Sequence, residues 1–129
     1  MAKTRQFEIS IENRPGAVAE IARTLGNAKV NILALLGAAR GTGGSVQVIV
    51  EDARRARKAL DEAKLSYRET TAEEYELANK PGALAQYLDK LAARGVNLNT
   101  ICATSSKGAK KAILVYTAEA AVKNEASAA

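Results

Sequence analysis

Histidine and tryptophan are absent from this sequence of 129 residues, and cysteine and phenylalanine occur once each. Without histidine, the Ser–His–Asp and Cys–His catalytic arrangements are impossible, and zinc sites built from cysteine and histidine are excluded. The single cysteine, Cys102, cannot form a disulfide within the chain, and its apolar strand position indicates a packed thiol. We therefore expect a protein that is not an enzyme, with no catalytic residues, no metal site and no cofactor.

Long apolar runs are missing as well. No stretch approaches the roughly 18 consecutive apolar residues of a membrane helix, and the first residues lead into a strand pattern without an apolar signal region. We expect a cytoplasmic protein with no membrane partner. The net charge is +5. Its basic cluster at residues 54–58 precedes Asp61 and Glu62 at four-residue spacing, which favours a solvated helix face with the pairs Arg57–Asp61 and Lys58–Glu62.

An internal repeat organises the chain. The segment Asn13-Arg14-Pro15-Gly16-Ala17 matches Asn79-Lys80-Pro81-Gly82-Ala83 at an offset of 66 residues, and the alignment continues without a gap through Val30-Asn31 and Val96-Asn97. The end of the first copy, at 65–70, would map beyond the last residue. The sequence therefore predicts two modules, at 1–71 and 72–129, of which the second lacks its last strand.

Apolar periodicity assigns the elements of each copy. Phe7, Ile9 and Ile11 alternate with polar residues, as in a half-buried strand. After the Pro-Gly break, apolar residues recur at helical spacing, and Gly26 or Asn27 and Gly95 are predicted to end the two helices. The helical sets are Val18, Ile21, Ala22 and Leu25 in the first copy and Leu84, Tyr87, Leu88 and Leu91 in the second.

Two strands follow in each copy, at 32–39 and 45–51 and at 98–105 and 111–117. A second amphipathic helix near 53–63 and a strand at 65–70 complete the first copy. Each copy thus predicts β-α-β-β-α-β, an α+β ferredoxin-like module with an antiparallel sheet and both helices on one face. Strands 65–70 and 74–77 are nearly continuous, so we expect the two sheets to join closely.

This pattern resembles the ACT domain, a regulatory module of amino-acid metabolism. The resemblance rests on the strand–Asn-x-Pro-Gly-Ala–helix junction, on Val30-Asn31-Ile32 and Val96-Asn97-Leu98 before the second strand, and on the element order. It implies modules that pair side by side and bind an amino acid at their interface, through the loop before the first helix and the start of the second strand. The ligand-binding residues so implied are Glu12, Asn13, Arg14, Pro15, Gly16, Asn31, Ile32, Asn79, Lys80, Pro81, Gly82, Asn97 and Leu98.

The chemistry of that loop suits a zwitterion. A helix N-terminus presents unpaired N–H groups and a partial positive charge to a carboxylate, glycine allows close approach, and asparagine both donates and accepts. Each residue also has a structural interpretation. Asn13 and Asn79 are equally good helix caps, and Arg14 and Lys80 are ordinary solvated side chains. The second site would be the more polar one, so that one copy could bind and the other serve as a scaffold.

The resemblance implies a non-catalytic sensor that regulates a separate enzyme of amino-acid metabolism. A regulatory subunit that acts by protein contact without its own ligand is the alternative. An open sheet edge in the second copy favours a homodimer. The ferredoxin-like sheet also occurs in RNA-recognition motifs, but strand 45–51 has no aromatic residue for base stacking, so nucleic acid is disfavoured.

Overall fold

The computed structural model describes residues 2–118. It contains six strands and three helices in that range. In chain order these are β1 (Ala2–Glu12), α1 (Ala17–Asn27), β2 (Ile32–Arg40), β3 (Gly43–Val50), α2 (Ala53–Glu62), β4 (Tyr67–Ala78), α3 (Ala83–Ala93), β5 (Leu98–Thr104) and β6 (Lys111–Ala118). None of the helices within residues 2–118 is long and apolar enough to cross a membrane.

The chain divides into two compact units. The first unit is Thr4–Thr71, and the second comprises Met1–Lys3 and Ala72–Ala129, of which 2–3 and 72–118 are described. Strand β4 contributes its first residues to the first unit and its remaining residues to the second. The segments 65–70 and 74–77, predicted to be nearly continuous, are therefore largely one strand.

In the first unit the strand order is β2-β3-β1-β4. Strand β3 is antiparallel to both β1 and β2, with Phe7 opposite Val48 and Leu35 also opposite Val48. The alternate residues Val46, Val48 and Val50 turn one sheet face toward the helices. The buried side chains of that core are Phe7, Ile9, Ile21, Leu25, Val30, Val46, Val48, Val50, Ala56 and Leu60. Both helices cover one face of the sheet, as predicted.

The second unit repeats this plan in the order β4-β6-β5. Strand β6 is antiparallel to both neighbours, and Tyr87 and Leu91 of α3 pack on Leu114 and Tyr116 of β6. Tyr87 also stacks on Tyr75, with ring centroids 4.1 Å apart. The α+β class, the antiparallel strands and the absence of a last strand within the described residues agree with the prediction. The repeat places a second helix of this copy at 119–128, which lies outside the described residues.

Helix α1 ends at Asn27, as predicted, and both α1 and α3 are followed by a residue in the left-handed conformation. Two residues after the end of α1, Lys29 has φ 65°, and the N–H of Val30 donates to the carbonyl of Leu25 at 2.9 Å. In α3 the aligned residue is Gly95, with φ 76°. This left-handed closure satisfies helix-end carbonyls, and glycine adopts it without the steric cost that a Cβ brings. Lys29 is therefore a strained counterpart of Gly95.

Replacing Lys29 by glycine is expected to stabilise the protein by about 0.5–1 kcal/mol, because the left-handed conformation no longer opposes a Cβ. Gly95→Ala, the matched reverse change, should destabilise it by about 1 kcal/mol, since only φ and no neighbouring atom opposes the new methyl group. Urea unfolding monitored by circular dichroism measures both. A loss of stability in Lys29→Gly would show that the lysine side chain contributes more than the backbone strain costs.

Two of the four basic residues at 54–58 form ion pairs among the described residues, Arg55 with Asp52 at 3.8 Å and Arg57 with Glu69. Arg57 binds Glu69 at 2.8 Å rather than Asp61, which instead accepts a hydrogen bond from Tyr67. Arg5 reaches the same Glu69 carboxylate at 2.8 Å. The hydrogen bond from Arg57 is the main reason that the pKa of Glu69 falls to about 2; burial opposes the shift, and the bond from Arg5 adds to it. This part of the surface is thus a structural ion-pair network.

Candidate functional site

The loop between β1 and α1 in the first unit has the same geometry as the aligned loop between β4 and α3 in the second. Gly16 and Gly82 occupy the residue before the helix with φ 86° and 87°, and neither helix receives a side-chain hydrogen bond at its N-terminus. A Cβ at Gly16 would meet no atom within 4 Å, so the glycine is required by its backbone angle and not by close approach. In the first unit the N–H groups of Val18 and Ala19 have no partner among the described residues.

Asn13 connects this loop to the β2–β3 hairpin and does not cap the helix. Its side-chain amide donates to the carbonyl of Gly41 at 2.8 Å, and its backbone N–H donates to the carbonyl of Thr42 at 2.9 Å. The expectation of a helix cap at Asn13 is therefore wrong. The interaction is a structural one that joins the two loops at one end of the sheet.

Arg14 is held by two carboxylates. Its guanidinium donates to Glu12 at 3.1 Å and to both carboxylate oxygens of Glu20 at 2.9 Å. The hydrogen bonds that Arg14 donates to Glu20, and then the one to Glu12, raise the pKa of Arg14 above its ordinary value. Its positive charge is already compensated, so the loop of the first unit offers carboxylate as well as guanidinium to a ligand.

A cavity of about 350 Å³ lies between this loop and the end of β2. The polar residues that line it are Glu12, Asn13 and Arg14. The remaining lining is apolar and comes from Ile11, Ala17, Val18, Leu35, Gly37, Ala38 and Ala39. Val18 and Leu35 are each 39% exposed. Three polar side chains and a mainly apolar lining thus share one cavity beside the start of α1, a combination typical of small-ligand sites.

The second unit contains the repeat-related cavity at about half the volume, 180 Å³. Asn79 again ties the loop to the hairpin, through a bond of 2.8 Å from its amide to the carbonyl of Ala109, so a helix cap at Asn79 is also wrong. Lys80 replaces Arg14 in the lining. Thr104 and Ser105 replace Ala38 and Ala39, which makes this cavity the more polar of the two.

The start of the second strand lies away from the loop within each unit. Since β1 and β2 both run antiparallel to β3, they point the same way, and their C-terminal ends lie together at one end of the sheet. Asn31 and Ile32 are at the opposite end, about 23 Å away along the strand. Ile32 and its counterpart Leu98 pack partly against the cores, and the carbonyl of Asn31 accepts from Glu51. Neither Asn31 nor Asn97 lines the cavity of its own unit.

The residues that sequence reasoning missed come from the end of β2 and the first turn of α1. They are Val18, Leu35, Gly37, Ala38 and Ala39, with Leu84, Ala103, Thr104 and Ser105 in the second unit. Their position follows from the pairing of β1 and β2 with the same antiparallel neighbour β3, which brings the ends of both strands together. Pro15 and Pro81 precede the left-handed glycines and line neither of these two cavities.

Two further side chains with reactive groups, Glu73 and Cys102, lie outside these cavities. Glu73 forms an ion pair with Lys3 at 2.7 Å, and Cys102 is a partly buried free thiol on β5. Across residues 2–118, no three histidine, cysteine, aspartate or glutamate side chains are grouped so that they could hold a metal ion.

Comparison with known proteins is informative for family and fold. The family model of the ACT domain matches residues 5–64, which contain the loop and the larger cavity. No curated protein matches the chain. Among solved structures, a protein from Bacteroides thetaiotaomicron is 27% identical, with a TM-score of 0.83 over 95% of this chain and 83% of its own.

Two further solved structures share the fold at lower identity. The ligand-free regulatory subunit of aspartate kinase from Thermus thermophilus is 16% identical, with a TM-score of 0.68, covering 90% of this chain and 87% of its own. The corresponding subunit from Thermus flavus is 16% identical, with a TM-score of 0.66 and coverages of 88% and 82%. The family match over residues 5–64 identifies this part of the first unit as an ACT domain, and the second unit repeats its loop and strand–helix order.

Proposed function

We propose that this protein is a non-catalytic regulatory sensor whose first unit binds a free amino acid with an apolar side chain. The observation that carries the proposal is the cavity of about 350 Å³, whose lining is mainly apolar and includes three polar residues of the β1–α1 loop. Its volume falls within the range of small-molecule sites, whereas the related cavity of the second unit, at 180 Å³, is smaller than that range.

Each part of an amino acid has a matching group at this cavity. The unpartnered N–H groups of Val18 and Ala19 at the start of α1 suit the α-carboxylate, because a helix N-terminus favours an anion. The carboxylate of Glu12 suits the α-ammonium group. Leu35 and Ala38 on β2 provide apolar contact for the side chain. The compensated charge of Arg14 disfavours ligands with a second carboxylate.

A ligand at this position would contact two separate segments, the loop with α1 and the end of β2. Asn13 already links the loop to the hairpin that follows β2. A ligand that bridges the same segments stabilises the arrangement in which they are close. It can regulate only through such a difference in affinity between arrangements.

We further propose that the sensor is a homodimer assembled through β2. Within the described residues β2 pairs only with β3, so its other edge is open. Leu33 and Leu36 on this strand are 52% and 44% exposed. An open apolar edge strand favours association with a second chain. Because β2 also lines the cavity, ligand binding and assembly would affect one another.

The regulated partner is proposed to be an enzyme of amino-acid metabolism. Support comes from the ACT-domain match and from the similarity in fold to the regulatory subunit of aspartate kinase. The alternative, a subunit that regulates by contact alone, predicts the same dimer edge but no response to amino acids.

A thermal-shift screen of the twenty amino acids tests the proposal. Aliphatic amino acids are expected to raise the melting temperature, with an increase that grows with the logarithm of concentration above Kd. Aspartate and glutamate should give no comparable increase, because Glu12 and Glu20 already bind Arg14. If no amino acid changes the melting temperature at millimolar concentration, the amino-acid proposal is wrong and the contact-only alternative is preferred.

A further inference from the structure

The corresponding ends of the two units differ in charge. In the first unit, residues 12–20 and 40–45 contain two basic and two acidic side chains. In the second, the aligned residues 78–86 and 106–111 contain four lysines and no carboxylate; the lysines are Lys80, Lys107, Lys110 and Lys111. A net charge near zero in one unit thus becomes +4 in the other. The four lysines therefore give this end of the second unit a local charge of +4.

Hydrogen bonds bring the two lysine-bearing loops together. The backbone N–H of Asn79 donates to the carbonyl of Lys110 at 2.9 Å, and its side-chain amide donates to the carbonyls of Ala109 at 2.8 Å and Ser106 at 3.3 Å. Lys80 directly follows Asn79, and Lys107 and Lys110 lie on the hairpin that accepts these bonds. Positions distant in sequence therefore form one basic surface.

These lysines lack the compensation that Arg14 has. The positions of Glu12 and Glu20 are taken by Ala78 and Gln86, so the two carboxylates that bind Arg14 have no equivalents around Lys80. No ion pair involves any of the four lysines within the described part of the chain. The positive charge is available to a ligand.

The cavity beside this surface has also changed from apolar to hydrogen-bonding. Thr104 and Ser105 line it where the first unit has Ala38 and Ala39, and Lys80 and Asn79 complete its polar side. Among the described residues no carboxylate lines it. Its lining suits an oxygen-rich anionic ligand rather than the side chain of an aliphatic amino acid.

We propose that the second unit binds a small anion with two or more negative charges, as carried by phosphate groups or by a polycarboxylate, in the cavity between Lys80 and the β5–β6 hairpin. Hydroxyl groups of Thr104 and Ser105 donate to its oxygens, and the lysines compensate its charge. The chain thus has two chemically different ligand sites. This inference depends on the second unit alone and does not require the amino-acid site of the first.

The test is a calorimetric titration of the full chain with pyrophosphate and, separately, with citrate, at constant ionic strength set by sodium chloride. Saturable binding of either anion supports the proposal, and the anion that binds more tightly identifies the source of charge. Lys80→Gln should weaken binding about tenfold or more, because a charged hydrogen-bond donor is lost. Lys58→Gln on α2 is the matched control and should leave the affinity unchanged.

A Lys107→Gln/Lys110→Gln double variant provides a second test if Lys80→Gln does not fold. The proposal is overturned if neither anion binds above the chloride background, or if binding is equally strong in these variants. A short single-stranded RNA is titrated in parallel, and strongly salt-dependent binding of RNA with no binding of either anion also overturns the proposal. An unchanged response to amino acids in Lys80→Gln would separate this site from that of the first unit.

Discussion

Replacing Gly37 by isoleucine is expected to weaken amino-acid binding about 10- to 100-fold while leaving the fold intact. Gly37 lies on β2 and lines the larger cavity, so the new side chain occupies space that the ligand needs. A Cβ at this position would approach only the Val46 side chain, at an ordinary 3.8 Å, and its φ is not in the left-handed region. Isoleucine also has a higher propensity for β-strands than glycine has.

The second unit offers a matched control for this change. Ala103 is the repeat-related residue and lines the smaller cavity. Ala103→Ile should leave the amino-acid affinity unchanged when the wild-type protein and both variants are titrated with the same amino acid by calorimetry. Equal affinities of the wild-type protein and of Gly37→Ile would show that the amino acid does not bind in the cavity of the first unit. Far-ultraviolet circular dichroism confirms that both variants are folded.

Introducing a lysine at Leu36 is expected to weaken the dimer by about two orders of magnitude. Leu36 lies on the open edge strand β2 and is 44% exposed, and charged side chains on such strands are a natural means of preventing association. It does not line the cavity, so amino-acid binding by the monomer can be measured separately. Sedimentation velocity over a concentration series gives the dissociation constant.

Ile101→Lys on β5 is the control for a charge placed on an edge strand. Ile101 is 40% exposed in the second unit and has the same apolar character. The β2 proposal predicts that Ile101→Lys remains dimeric. Dimers that survive Leu36→Lys but dissociate in Ile101→Lys would move the interface to the second unit. A wild-type protein that is monomeric at tens of micromolar would contradict the dimer itself.

The element order was predictable because each unit repeats a strong apolar pattern. The alternation at Phe7, Ile9 and Ile11 and the helical spacing of Ile21 and Leu25 correspond to buried side chains, apart from the half-buried Ile11. Burial dictates these periods, so they are visible in a single sequence. The left-handed turn at Lys29 was not visible, because lysine gives no local signal for positive φ. Only the alignment with Gly95 indicates it.

The candidate site was predictable in part. The loop of Asn13, Arg14 and Gly16 was found from its repeat, and the cavity lies beside it. The start of β2, at Asn31, was predicted to face the loop, whereas within the first unit the end of β2 lines the cavity. The pairing of Arg14 with Glu20 depends on side-chain geometry across the first turn of α1, which periodicity does not reveal.

The difference in charge between the two units follows from the sequence and the tertiary contacts together. Sequence composition spread the net charge thinly over the two halves of the chain. Once Asn79 joins its loop to the hairpin, lysines about 30 residues apart lie on one surface. Tertiary contact therefore created a charged site that no local window contains.

The most direct test of the account is a nuclear magnetic resonance titration of the isotope-labelled protein with the amino acid that gives the largest thermal shift. Binding at the larger cavity predicts amide shifts at Val18, Ala19 and residues 37–39, with little change at Asn31 or in the second unit. Saturation of those shifts with one amino acid per chain is the expected result. Shifts confined to Asn31 and Ile32, or to the second unit, would contradict an amino-acid site at the β1–α1 loop of the first unit.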